Sequence, residues 1–159
     1  MQKVSRKKTR KFLFQKLYSN CFFPKDDDLF MKSFYDDVFD FEIDKDYLSS
    51  MESIILEKES YFIEVIKKLA PKFNIKNMNL IYVLPIYIAL SEIFYLKEEI
   101  PWKVSINEAV EIAKVYWDDS GKKIVNWVLN KVLENHDEIK KEIIEKSIDS
   151  DFSFFKKEA

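Results

Sequence analysis

Seven cationic side chains stand near the start of the chain, Lys3, Arg6, Lys7, Lys8, Arg10, Lys11 and Lys16, with no acid among them, although the 159 residues together have a net charge of only −2. The chemistry such a cluster supports is the binding of a polyanion. Lysine and arginine that neutralise phosphates release condensed counterions, which makes affinity steeply dependent on salt. Other chemistries are excluded. Cys21 and His136 are each the only residue of their type, so a disulfide, a cysteine-based metal site and a multi-histidine zinc site are out of reach. A single glycine, Gly121, leaves no Gly-rich phosphate loop and no dinucleotide fingerprint. Asp26, Asp27 and Asp28 cannot all converge on one cation and are read as compensation of a helix dipole. No metal and no cofactor are expected, and His136 is placed near a helix C-terminus without a function.

The elements that must position these groups read as helices. Ser5 is a plausible N-cap for a first helix running to about Cys21, ahead of Pro24. Cations in its first turns oppose the macrodipole, so a reason other than helix stability is expected for them. A second helix is expected from Asp26 to Phe41. A third starts at Asp44 and runs to Leu69, with a break near residues 58–60. The apolar stretch from Met78 to Leu96 contains Asn79, Pro85, Ser91 and Glu92. With Pro85 in its first turn, the helix would start near Tyr82 and be too short to span a bilayer, so it is read as the centre of a bundle. Ser105 and Glu108 have capping-box spacing, and residues 118–121 read as a turn. Ile124, Val125, Val128, Leu129, Val132 and Leu133 form one stripe, and residues 137–148 a last amphipathic helix. The fold class expected is all-α, a single-domain helical bundle over residues 1–148, with a loose tail over 149–159. No apolar run follows the basic start, so a secretory signal is not expected and the chain is read as cytoplasmic.

The run Ile100-Pro101-Trp102-Lys103-Val104-Ser105-Ile106-Asn107-Glu108-Ala109-Val110-Glu111-Ile112-Ala113-Lys114 resembles the NusB family of transcription antitermination factors. The similarity continues through Asp119-Ser120 and Lys123-Ile124-Val125-Asn126. It extends back to Ala89-Leu90-Ser91-Glu92 and to Arg6, Arg10 and Gln15-Lys16-Leu17-Tyr18. The resemblance implies about seven helices that catalyse nothing and that bind the boxA element of ribosomal RNA leaders together with the ribosomal protein NusE. It also implies a complex with NusA, NusG and RNA polymerase. Carried over residue by residue, the family's RNA contacts fall on Arg6, Lys7, Lys8, Arg10, Asp119, Ser120, Lys123 and Asn126. Gln15, Asn126 and Tyr18 agree with that role by supplying amides for base edges and a ring for stacking, the means by which single-stranded RNA is read. Lys122 is added beside Lys123, in a segment one residue longer than the family's.

The chain departs from the family pattern at the central helix, where Tyr82, Val83 and Tyr87 replace acidic and basic residues. Tyr18, Tyr82 and Tyr87 are the candidates for the NusE contact. Trp127 stands where the family has glycine, serving either packing or base stacking, and Ile124 replaces a phenylalanine. Two rivals follow: a helical protein-interaction module that has lost RNA binding, and a fragment of an RNA methyltransferase, for which the Gly-containing cofactor domain is missing.

Overall fold

The computed structural model describes residues 3–24, 41–116, 119–150 and 152–156. The helix expected from Asp26 lies outside them, except that Phe41, at its expected end, is extended chain. Strand β1 (Lys3–Val4) pairs in parallel with β2 (Phe41–Glu42), Lys3 opposite Phe41 and Val4 opposite Glu42. All other regular structure among the described residues is helical: α1 (Arg6–Asn20), α2 (Lys45–Leu69), a 3-10 turn (Ile75–Asn77), α3 (Leu80–Phe94), α4 (Trp102–Tyr116), α5 (Asp119–Glu134) and α6 (His136–Ile139), which continues as a π-helical turn (Lys140–Ile144).

The starts of these helices are local chemistry. Ser5 caps α1 by accepting from the Lys8 amide at 3.1 Å, Asp44 caps α2 through the Tyr47 amide at 3.2 Å, and Asn79 caps α3 through the Ile81 amide at 2.9 Å. Because α3 starts at Leu80, two residues earlier than expected, Pro85 sits in its second turn and has no N–H to give the Ile81 carbonyl. Helix α2 does not break near residues 58–60. Its buried face, with Ile55, Glu59, Phe62, Ile63 and Ile66, keeps helical register across that point. Helix α4 begins at Trp102, where the Pro101 carbonyl accepts from the Val104 amide at 2.9 Å. Ser105 is therefore inside the helix and is no capping box: its hydroxyl donates to Glu92 at 2.8 Å. Gly121 lies in the first turn of α5 rather than in a turn between helices. His136 opens α6 instead of closing α5, stacked on Phe94 and Trp102 at 4.8 and 4.3 Å between ring centroids.

Helix α3 is the axis of the bundle. Every residue from Val83 to Glu92 is buried, and α1, α2, α4 and α5 all pack on it. Among the described residues no helix is long and apolar enough to cross a membrane.

The expected loose tail is corrected over residues 152–156, which fold back across the bundle. The Ser153 hydroxyl donates to Glu59, the Phe154 amide donates to the same carboxylate at 3.1 Å, and the Lys156 amide donates to the Asn20 carbonyl at 2.8 Å. Phe154 and Phe155 lie against the Tyr87 ring at 6.5 and 6.3 Å. Cys21 is buried nearby, and burial together with the charge of Glu59 pushes its thiol up to about 12. Since the thiolate is the nucleophile, the native protein at pH 8 is expected to resist iodoacetamide and to be alkylated fully once denatured. Mass spectrometry reads the difference, and fast native alkylation would contradict the packing.

Candidate nucleic-acid interface

One residue along a helix is about 100° of rotation, so the cations of α1 divide between faces. Arg6, Arg10 and Lys16 turn inward. The Arg6 guanidinium bonds Asp44 and Glu98, each at 2.9 Å, and lies 4.3 Å above the Tyr47 ring. Arg10 is bidentate on Glu92, at 2.8 and 3.0 Å, with both side chains buried. Tyr47 and Ser105 donate their hydroxyls to the same carboxylate. Burial lowers the Arg10 pKa, but the bonds and charge of Glu92 more than offset it, and the net shift is upward. Burial and Glu92 also push the Tyr47 phenol up, which keeps it a donor. Lys16 pairs with Glu52, and both are buried.

Arg10 is therefore withdrawn from the expected RNA contacts, because its guanidinium is buried and held by Glu92. Arg6 is largely committed to Asp44 and Glu98. These pairings supply the reason, sought in the sequence, for cations that oppose the α1 dipole: their carboxylate partners come from other elements.

A second face of α1 remains outside. Lys7, Lys11, Gln15 and Tyr18 recur at helical spacing along it; Lys7, Gln15 and Tyr18 are exposed and Lys11 half-exposed. Lys8 is half-buried and engaged with other groups. The Gln15 amide donates to the Tyr116 hydroxyl at 2.6 Å, and Phe14 stacks on the Tyr116 ring at 4.8 Å. Tyr116 closes α4, and three residues of chain reach at most ~10 Å to the start of α5. There Ser120, Lys122, Lys123 and Asn126 are exposed, and Asp119 is the first helical residue. The Asn126 side-chain oxygen accepts from Asn130 at 3.0 Å. The fold thus brings the two sequence-distant RNA candidates to one neighbourhood, with Tyr116 as the join.

Lys11 entered the sequence reading only as one cation of the basic cluster, not as a residue of the site, and Tyr116 did not enter it at all. Lys11 could have been found by counting, since it lies four residues from both Lys7 and Gln15; nothing local marks Tyr116.

The candidates for a protein partner separate as well. Tyr18 is exposed, with Phe14 and Phe22 rings at 6.0 and 5.1 Å. Tyr82 is half-buried. Tyr87 has no exposed surface, and its hydroxyl donates to Glu59 at 3.0 Å; it is withdrawn as a contact residue. Among the described residues no group of histidine, cysteine or carboxylate side chains could hold a metal ion, and Asp26, Asp27 and Asp28 lie outside them.

The described residues thus form a helical bundle with one short β pair, two arginines neutralised internally and an outward lysine–amide–tyrosine face. Residues 7–134 match the model of the NusB family, and the chain belongs to that family. The transcription antitermination protein NusB of Ligilactobacillus salivarius (strain UCC118) is 30% identical over 133 residues, 82% of this chain and 98% of the relative. That of Buchnera aphidicola subsp. Cinara cedri (strain Cc) is 31% identical over 101 residues, 63% of this chain and 69% of the relative. A shorter match, 51% identical over 47 residues, is to the same-named protein of Alkaliphilus oremlandii (strain OhILAs), 30% of this chain and 33% of the relative. Family membership, rather than anything missing from the site, makes the protein a non-enzymatic one.

Proposed function

We propose that the chain is a transcription antitermination factor that binds a boxA-type single-stranded RNA together with the ribosomal protein NusE, joining NusA, NusG and RNA polymerase in the cytoplasm. The supporting observation is the outward face Lys7–Lys11–Gln15–Tyr18, joined through Tyr116 to the exposed Ser120, Lys122, Lys123 and Asn126. The lysines engage phosphates, and Gln15, Asn126 and Tyr18 meet bases and ring faces.

Titration of a fluorescent boxA-like RNA, with and without NusE, at several salt concentrations tests this. Two lost phosphate contacts on single-stranded RNA flatten the log–log salt slope by about 1.4, since each contributes roughly 0.7. Lys7→Ala with Lys11→Ala is expected to do that and to weaken binding about tenfold or more. Binding indifferent to salt and to this double substitution would refute the assignment. The second reading is a protein-interaction module without RNA affinity, favoured by the exposed rings of Tyr18, Phe22 and Phe23 at the end of α1. Tight NusE binding with no RNA binding would select it.

A further inference from the structure

We propose that the groove between the segment following α2 and the outer face of α5 is a stacking subsite for an unpaired nucleobase of the bound RNA, with Trp127 and Phe73 as its rings and Lys72 and Lys123 as its phosphate contacts. This rests on the RNA-binding reading above and adds a second site to it.

The groove has a volume of about 490 Å³, within the ~300–1,000 Å³ typical of ligand clefts. Phe73 and Trp127 line it, 49% and 46% exposed, beside the half-buried Leu69 and Ile124. Two large rings left half in water at one place form an apolar surface that the described residues do not cover. The occupant is indicated by charge and by position. Lys72 and Lys123 line the groove, no acidic residue among the described ones does, and the Lys131 ammonium lies 6.0 Å from the Trp127 ring while pairing with Glu134 at 3.2 Å. An aromatic surface flanked by cations fits the flat face and the phosphates of a nucleotide, and any base stacks there because every base has a π face. Lys123 also belongs to the proposed RNA interface, and Trp127 follows it four residues later on the same helical stripe, about 5–6 Å away. A strand crossing Tyr116 and the start of α5 therefore runs directly onto the groove.

The probe is a fluorescein-labelled single-stranded RNA of about 12 nucleotides, titrated against the full chain. Trp127→Ala is expected to weaken binding about tenfold with an unchanged salt slope, because stacking releases no counterions. Phe73→Ala is expected to act in the same direction, and Trp127→Phe, which keeps a ring, to bind within about threefold of the parent. Lys72→Ala is expected to flatten the slope by about 0.7. The three ring variants alter two side chains that are about half exposed, and circular dichroism confirms each variant's fold. Normal RNA binding by Trp127→Ala and Phe73→Ala, while Lys7→Ala with Lys11→Ala is impaired, would overturn the groove and leave the RNA-binding reading standing. Loss of NusE binding alone in the groove variants would also overturn it, assigning the groove to a protein. No RNA binding by the parent chain would bring down the reading on which it rests.

Discussion

Arg10→Ala is expected to lower the stability of the folded protein by about 3–5 kcal/mol, the usual cost of removing one partner from a buried ion pair. In a chain of this size that corresponds to a fall of roughly 10 °C in Tm. The reason is the carboxylate left behind. The Glu92 side chain is 1% exposed, and among the described residues Arg10 supplies two of its hydrogen bonds and its countercharge. Tyr47 and Ser105 still donate to Glu92 but cannot neutralise it. Arg10→Lys is expected to recover only part of the loss, because an ammonium cannot reproduce the two-pronged fork. Replacing the whole network with apolar groups (Arg10→Met, Glu92→Leu, Tyr47→Phe and Ser105→Ala) is expected to restore most of it, since no polar group is then stranded. Thermal and urea unfolding measure all three. A loss below about 1 kcal/mol for Arg10→Ala would show that the pair is not buried in solution. Below its Tm, folded Arg10→Ala is expected to keep RNA affinity within about threefold, in contrast to the Lys7 and Lys11 double variant, which contacts the RNA itself.

Removal of residues 150–159 is the second large effect, at about 2–4 kcal/mol and roughly 10 °C in Tm. The tail gives Glu59 two hydrogen bonds, closes the Asn20 carbonyl at the end of α1, and lays Phe154 and Phe155 against Tyr87. Hydrogen bonds to a charged acceptor contribute about 1.5–3 kcal/mol each, but truncation also lets water reach Glu59 and return part of that. Ser153→Ala alone is therefore expected to cost about 1 kcal/mol. Cys21 provides an independent readout, since Glu59 and Lys156 both act on its thiol. Truncation is expected to speed its alkylation in the native state. An unchanged Tm with Cys21 still silent would mean that the tail does not dock.

Much of the fold was legible because it depends on near neighbours. Ser5 and Asp44 cap helices through amides three residues away, at the starts the sequence indicates, whereas Asn79 caps α3 ahead of its expected start. The stripe Val125, Val128, Leu129 and Val132 is fully buried, as its spacing required. The site was legible in composition and only partly in residues. Arg6, Lys7, Arg10 and Lys16 look alike in a basic run, but Arg10 meets a carboxylate 82 positions away while Lys7 faces water. A residue's neighbours along the chain carry no record of such a partner.

The sequence by itself determined a glycine-poor helical bundle, the starts of α1 and α2, its apolar axis and a positively charged beginning, because capping and periodicity act over a single turn. Tertiary structure alone decided which cations are spent on internal carboxylates and which stay outside, that Tyr87 is covered, and that residues 152–156 close over it. The physical reason is that burial and countercharge are properties of surfaces brought together from distant parts of the chain, and a charge is free to meet a ligand only where that assembly leaves it uncompensated.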